Sequence, residues 1–225
     1  IAVFWIINGL LKKIILSDYL AVNFIDRVFE NPHLFTGFEN LAALFLYSLQ
    51  VYADFSGYTD IAIGLSLLMG FYLPANFNWK RWHISLSRWL QTYLYIPLGG
   101  NRNITFGTYF WIVFMTVTAL VLCDNAWIVL AVAAIASMVV FTALRCPERR
   151  KKIYANLNSM ITMLLGGLWH GASWNFVLWG VYYAVLLVLE KTFLLQWLDR
   201  VPAVVGHIYT CLCFIMGWVL FAITD

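Results

Sequence analysis

Residues 157–174 read Leu157-Asn158-Ser159-Met160-Ile161-Thr162-Met163-Leu164-Leu165-Gly166-Gly167-Leu168-Trp169-His170-Gly171-Ala172-Ser173-Trp174, and the fold turns on this stretch. It is an apolar run that ends in an imidazole, with Trp169 and Trp174 as bulky neighbours and Gly166, Gly167 and Gly171 as small ones. Only 13 residues run from Leu157 to Trp169. At about 1.5 Å per residue that helix reaches roughly 20 Å, against a hydrocarbon core of about 30 Å. The expectation is a short helix that leaves His170 inside a membrane, followed by a turn at Gly171-Ala172-Ser173. An ionisable group at that depth is costly and usually functional.

Composition sets the same class for the whole chain. Of 225 residues, 63% are hydrophobic, 18% aromatic and only 11% charged, which no water-soluble globule could hide. The expected fold is all-α, a polytopic transmembrane protein with short, broken and interfacial helices, since helices satisfy their own backbone in lipid. The net charge of +3 is small. Its basic residues cluster at Lys12-Lys13, Lys80-Arg81 and Arg145 to Lys152 beside apolar runs, as cytoplasmic flanks do. Nucleic acid is therefore not an expected partner, whereas membrane lipid is. Cys123, Cys146, Cys211 and Cys213 show no metal-ligand spacing and read as small apolar fillers. No metal site is expected. No cleavable signal peptide is visible. The chain starts at Ile1 and stops at Asp225 straight after an apolar run, so it reads as a piece of one domain, 1–225, cut at both ends.

Outward from the His170 segment, Asn175 to Leu189 returns towards Lys191, and Ile208 to Ile223 is a further apolar helix. Ile104 to Leu122 and Trp127 to Leu144 form a hairpin through Asp124-Asn125. Ile1 to Leu16 is broken by Lys12-Lys13 and crosses only in part. Asp18 to Asn40 reads as an interfacial loop with a turn at Asn31-Pro32-His33. Leu41 to Phe77 is too long for one span of roughly 20 residues. Because Asp54, Gly57 and Asp60 interrupt it, it reads as two short helices meeting near Gly57. Trp79 to Tyr95 alternates Lys80, Arg81, Ser85, Arg88 and Gln91 with Trp82, Leu86, Trp89, Leu90 and Tyr93 at helical spacing. That pattern fits a helix lying in the interface plane with His83 on it.

Two imidazoles are candidate catalytic groups. Burial in apolar surroundings removes solvation from the charged ring, lowers its pKa and leaves the neutral base that hydroxyl deprotonation needs. On residue type alone, His170 beside tryptophan could equally be a hydrogen-bonded packing residue, and His83 could equally snorkel with Arg81 and Arg88. Asp54 and Asp60 read as packing groups or as the lining of a polar cavity. Pro97-Leu98-Gly99-Gly100 reads as a surface turn, and Arg149-Arg150-Lys151-Lys152 as a topology anchor. No phosphate loop, dinucleotide fingerprint or serine nucleophile elbow is present.

Three strings taken together carry a resemblance. They are Tyr52-Ala53-Asp54-Phe55-Ser56-Gly57-Tyr58-Thr59-Asp60-Ile61-Ala62-Ile63-Gly64; Arg81-Trp82-His83-Ile84-Ser85-Leu86-Ser87 with Tyr93-Leu94-Tyr95-Ile96-Pro97-Leu98-Gly99-Gly100-Asn101-Arg102; and Leu164-Leu165-Gly166-Gly167-Leu168-Trp169-His170-Gly171-Ala172. In this order they resemble the membrane-bound O-acyltransferase family, and within it the branch serving alginate O-acetylation. The resemblance covers most of the chain. It implies helices ringed around a tunnel, His170 as the active-site histidine and His83 as a second functional one. Asp54, Asp60, Trp169 and Trp174 become candidates for lining the tunnel.

The resemblance also implies the activity: an acetyl group moves from a cytoplasmic thioester, acetyl-CoA, towards hydroxyls of an exported polysaccharide. No cofactor is held. Secreted or periplasmic polysaccharide acetyltransferases are expected as partners, and the location is the inner membrane, crossed several times. D-alanyl transfer to teichoic acid, lipid acylation and a non-enzymatic acyl conduit or scaffold stand as alternatives. Three departures from the family pattern stand out. Gln91-Thr92 replaces an Arg-Asp pair, the segment between Asn78 and Trp82 is shortened, and the hairpin over 104–144 reads as an insertion. With the basic clusters cytoplasmic, His83 is expected near that interface and His170 deeper, joined by a polar cavity lined by Asp54 or Asp60.

Overall fold

A computed structural model describes residues 1–77, 82–122 and 126–222. All regular structure among them is helical. They form two compact units, Ile1–Ser87 with the stretch from His207 onward, and Arg88–Gly206.

In the first unit, α1 (Ala2–Leu11) does not stop at the lysine pair. It passes through wider π-helical turns at Lys12–Asp18 and Ala21–Ile25 into α2 (Asp26–Glu30), so residues 2–30 are helical throughout. The expected interfacial loop over 18–40 is therefore confined to a few residues at Asn31-Pro32-His33. There Asn31 leaves the helical region (φ −138°) and Pro32–Leu34 make one 3₁₀ turn. Next comes α3 (Gly37–Leu68), opened by a capping box. The Glu39 amide donates to the Thr36 hydroxyl, while the Thr36 amide donates to the Glu39 carboxylate, so two otherwise orphaned donors are satisfied.

One continuous helix of 32 residues replaces the two short helices expected to meet at Gly57. Gly57 is a seam rather than a joint. A Cβ on it would lie 2.8 Å from the Gly9 carbonyl, and one on Gly9 would lie 2.5 Å from the Gly57 carbonyl. Gly64 repeats the pattern against Ala2 and Ile6. Small residues let α1 and α3 approach backbone to backbone, and that contact outweighs the roughly 1 kcal/mol that glycine costs inside a helix. The charges that looked like breaks pair across the same seam, Lys12 with Asp60 at 2.6 Å and Lys13 with Asp54 at 2.6 Å.

α4 (Ile84–Trp89) continues through a π-helical turn, Leu90–Tyr95. The amphipathic helix expected from Trp79 thus begins five residues later. His83 precedes it rather than lying on it, and Trp79, Lys80 and Arg81 lie outside the described residues.

In the second unit, α5 (Phe106–Leu122) and α6 (Ala126–Arg145) form the expected helical pair; Asp124 and Asn125 between them lie outside the described residues. α7 (Pro147–His170) has proline in its first turn and Glu148 beside it, both favourable at a helix N-terminus. With 24 residues it measures about 36 Å. The basic cluster Arg149–Lys152 forms its first turns instead of a loop, and the short helix inferred for 157–169 is overturned, together with the depth for His170 argued from it.

α8 (Trp174–Leu189), capped by the Ser173 hydroxyl, runs on through a π-helical turn into α9 (Leu195–Leu198). α10 (Ala203–Ala222) closes the chain, and from His207 onward it belongs to the first unit. Two of these stretches, Trp174–Leu198 and Ala203–Ala222, are long and apolar enough to cross a membrane.

Candidate active site

His170 is the last residue of α7, and the reason it stays there is the glycine crossing beneath it. A Cβ on Gly167 would strike the Phe176 carbonyl and sit 3.2 Å from Gly180 Cα, while one on Gly180 would sit 2.8 Å from the Met163 carbonyl. α7 and α8 therefore touch backbone to backbone just below the turn. The return of α8 brings two rings onto the imidazole. Trp179 meets it edge-on with ring centres 5.1 Å apart, and Phe176 lies tilted at 6.2 Å. Trp169 closes a third side at 5.1 Å. Gly171, next in the chain, has no room for a side chain, because a Cβ would lie 2.6 Å from the Phe176 ring. The half-buried imidazole is thus held by aromatic walls at a helix end, with Trp169 itself largely exposed. Trp174 begins α8 and is exposed, at 57%.

His83 sits in the other unit. It has a left-handed backbone (φ 47°), a conformation that a non-glycine residue adopts only under local compensation. The compensation is helix capping. The first amide donors of α4 have no intrahelical partner. Ile84 donates to the Asn76 carbonyl at 2.8 Å, Ser85 to the Asn76 side-chain oxygen at 2.9 Å, and Leu86 to His83 Nδ1 at 3.4 Å. Nδ1 is thereby an acceptor, and the neutral ring carries its proton on Nε2. The segment before Trp82 that reads as shortened, residues 78–81, lies outside the described residues; Asn76, ahead of it, caps α4. Phe55 packs edge-on to the imidazole at 4.6 Å. Burial pushes the His83 pKa below its usual value by stripping solvent from the charged ring, against a smaller upward effect of its own backbone.

Asn76 also lines a cavity of about 890 Å³ in the same unit, between α1, α3, α10 and the segment after α3. Asp60 forms part of its wall and is 7% exposed. Its Oδ2 accepts from both Asn8 (2.7 Å) and Lys12 (2.6 Å). Asp54 is not among the described residues lining this cavity. It is half exposed and shares Lys13 with Asp18 in a surface ion-pair cluster. A second, more open groove of about 480 Å³ in the other unit, lined in part by Phe193, Trp197 and Arg200, includes neither histidine. No group of three or more potential metal ligands occurs among the described residues.

Comparison with known proteins adds relatives to this geometry. No protein-family model matches the chain. It is 36% identical, over 95% of its length, to the probable alginate O-acetylase AlgI of Pseudomonas aeruginosa, covering 34% of that protein. Over nearly its whole length the chain is similar to proteins named as O-acetylases and O-acetyltransferases. It is also 30% identical over 95% of its length to the peptidoglycan O-acetyltransferase of Helicobacter pylori, and 26% identical over 68% of its length to the teichoic acid D-alanyltransferase of Bacillus subtilis, covering 34% and 32% of those proteins. The chain spans about a third of the length of the curated relatives it matches.

Several residues matter that sequence reasoning passed over. Phe176 and Trp179 wall His170. Their signal was present as a stripe with Gly180 and Tyr183 at helical spacing, the face that α8 turns to α7. Asn158 is fully buried in α7. Its amide donates to the Gly100 and Asn103 carbonyls at 2.9 and 3.0 Å, while its oxygen accepts from Thr108 at 3.1 Å. It thereby fixes the loop in which Gly99 and Gly100 take positive φ, 108° and 55°. A lone asparagine in an apolar run was its only mark. Asn8 and Asn76 carried no sequence signal at all, since their roles depend on partners 52 and 7 residues away.

Proposed function

We propose that this protein is a membrane O-acyltransferase that moves an acetyl group from a cytoplasmic thioester, acetyl-CoA, towards hydroxyls of an exported, alginate-like polysaccharide. One observation carries the reading: identity of 36% to an alginate O-acetylase extends over 95% of the chain, a span that includes both His83 and His170. In the mechanism, neutral His170 takes the proton of the acceptor hydroxyl as its oxygen attacks the thioester carbonyl. The new C–O bond forms, the C–S bond breaks, and the imidazolium returns its proton to the departing thiolate. Trp169, Phe176 and Trp179 orient the ring. His83 assists by positioning or proton handling, with Nε2 the nitrogen that carries the mobile proton.

The protein is an inner-membrane, multi-pass one in this reading, with residues 1–225 forming part of a single domain around a tunnel. Asp54, Asp60, Trp169 and Trp174 are the candidates for lining that tunnel. Secreted or periplasmic acetyltransferases receive the acetyl group or act beside the enzyme. No resident cofactor or metal takes part.

The test is transfer of radiolabel from acetyl-CoA to a soluble acceptor by purified protein. His170→Ala should abolish transfer while the protein remains inserted in the membrane and monodisperse in detergent; normal turnover by that variant overturns the proposal. Partner binding without label transfer by the unmodified protein would make it a scaffold. The similarity to teichoic acid D-alanyltransferase supports a second reading, D-alanyl transfer. Mass spectrometry of surface polymers from cells with and without the gene separates the two by the ester that disappears.

A further inference from the structure

We infer that the cavity in the first unit is a binding site for a polyhydroxylated ligand, a sugar unit. The strongest sign is Ser56. It is 2% exposed, it lines the cavity, and its hydroxyl has no hydrogen-bond partner. The other serine and threonine hydroxyls of α3 behave differently. Ser48, Thr59 and Ser66 each donate to a carbonyl of their own helix one turn back, the usual resting place for such a group. Ser56 has the same option and does not use it. A buried hydroxyl left without a partner is destabilising, so the vacancy points to a polar guest.

One turn further along the same stripe lies Asp60. Both of its donors, Asn8 and Lys12, use the same oxygen, Oδ2. No hydrogen bond to Oδ1 occurs among the described residues, and Asp60 lines the cavity. The Lys12 ammonium cancels the carboxylate charge, so the wall offers strong donors and acceptors with little net charge. That combination fits hydroxyl groups, which donate and accept at once. It does not fit a nucleotide-bearing thioester, whose phosphates require a net positive site. A hydrocarbon tail would leave the Ser56 hydroxyl unpaired. The rest of the wall includes Trp5, Tyr52, Phe77 and Trp82, and aromatic faces pack against the C–H faces of sugar rings. At about 890 Å³ the space falls within the usual range of small-molecule sites, about 300–1,000 Å³. That the sugar is an acyl acceptor rests on the proposed O-acyltransferase reading; that the site binds sugar rests on the cavity alone.

The experiment uses purified protein in a detergent without a sugar headgroup, such as an amine oxide. Uncharged mannose oligomers, mannuronate oligomers, acetyl-CoA and dodecanoate are titrated in separate arms, read by tryptophan fluorescence and calorimetry. Saturable binding of the oligosaccharides is expected, weakened about 5-fold or more by Ser56→Ala and about 10-fold by Asp60→Asn, in line with loss of one neutral and one charge-assisted hydrogen bond. Ser56→Ala removes a single oxygen and should melt no lower than the parent, so weaker binding by it reports the site and not misfolding. His170→Ala should bind oligosaccharide normally even though it transfers nothing. No saturable sugar binding, equal affinity in Ser56→Ala, or displacement of the sugar by dodecanoate would each overturn the inference. Sugar binding without acetyl transfer in the parent protein would instead overturn the O-acyltransferase reading and leave the site standing.

Discussion

Replacing Asn158 tests how the second unit is held together. This side chain is fully buried in α7 and makes three hydrogen bonds to elements about 50 to 58 residues away. Alanine would leave the buried Gly100 carbonyl without its donor, at about 1–3 kcal/mol for an unsatisfied buried acceptor. The Asn103 carbonyl sits on an exposed residue and can turn to water, which adds only about 0.5 kcal/mol. The missing amide volume adds a modest cavity cost. The sum is about 3 kcal/mol, or roughly 6–12 °C in melting temperature for a chain of this size. Asn158→Asp should be worse than alanine, because it keeps the Thr108 contact but sets a carboxylate against two carbonyls. Thr108→Val should cost less, about 1 kcal/mol, and the double variant should show coupling of about 1 kcal/mol, since the two share a hydrogen bond. Thermal unfolding in detergent, followed by circular dichroism at one scan rate, ranks the four proteins. An Asn158→Ala variant melting within 1 °C of the parent, or an Asp variant more stable than Ala, would refute the reasoning.

Two further predictions follow from the glycines and from His83. Gly166→Ala and Gly167→Ala should act in opposite directions: a Cβ on Gly166 meets only Leu90 at 3.6 Å, whereas one on Gly167 meets backbone of α8. The first should be neutral or gain up to about 1 kcal/mol of helix propensity. The second should lose about 1–2 kcal/mol to overpacking and lower transfer by more than its stability loss implies, because His170 lies three residues on; melting curves and turnover of the pair check this. Because burial lowers the His83 pKa in the folded state, the unfolded chain binds more protons just below pH 6.5, so stability is full above that value and falls as pH drops through the window beneath it. Asn tolerates the left-handed backbone and can still cap α4, so His83→Asn should flatten the melting temperature between pH 7.5 and 5.5; unchanged slopes in both proteins would remove His83 as the source.

Local composition determined which stretches become helices. The apolar runs of α5, α6, α8 and α10 begin and end within a few residues of where hydropathy places them, because a helix in an apolar chain satisfies its backbone from its own residues. The turn at Asn31-Pro32 was legible for the same local reason. So was the pairing of His170 with tryptophan, since Trp169 is its neighbour in the chain. What failed were the inferences that took Lys12-Lys13, Gly57 with its flanking aspartates, and the basic cluster before residue 157 as breaks, whereas the turns at Gly99-Gly100 and Gly171 are present. Lys12, Lys13, Asp54 and Asp60 look like interruptions one at a time, yet they neutralise one another across α1 and α3, over separations of 41 and 48 residues. Gly57 looks like a joint until Gly9 is seen against it. The start of α7 was hidden because Arg149–Lys152 read as a loop, whereas a helix end in contact with water accepts such charges readily. Tertiary structure alone decided that Phe176 and Trp179 wall His170, that Asn76 and His83 cap α4, and that Ser56 and Asp60 share a cavity. Propensity and hydropathy sum over neighbours along the chain, whereas the charge on a buried group and the space beside a glycine are set by whichever distant backbone packs against them.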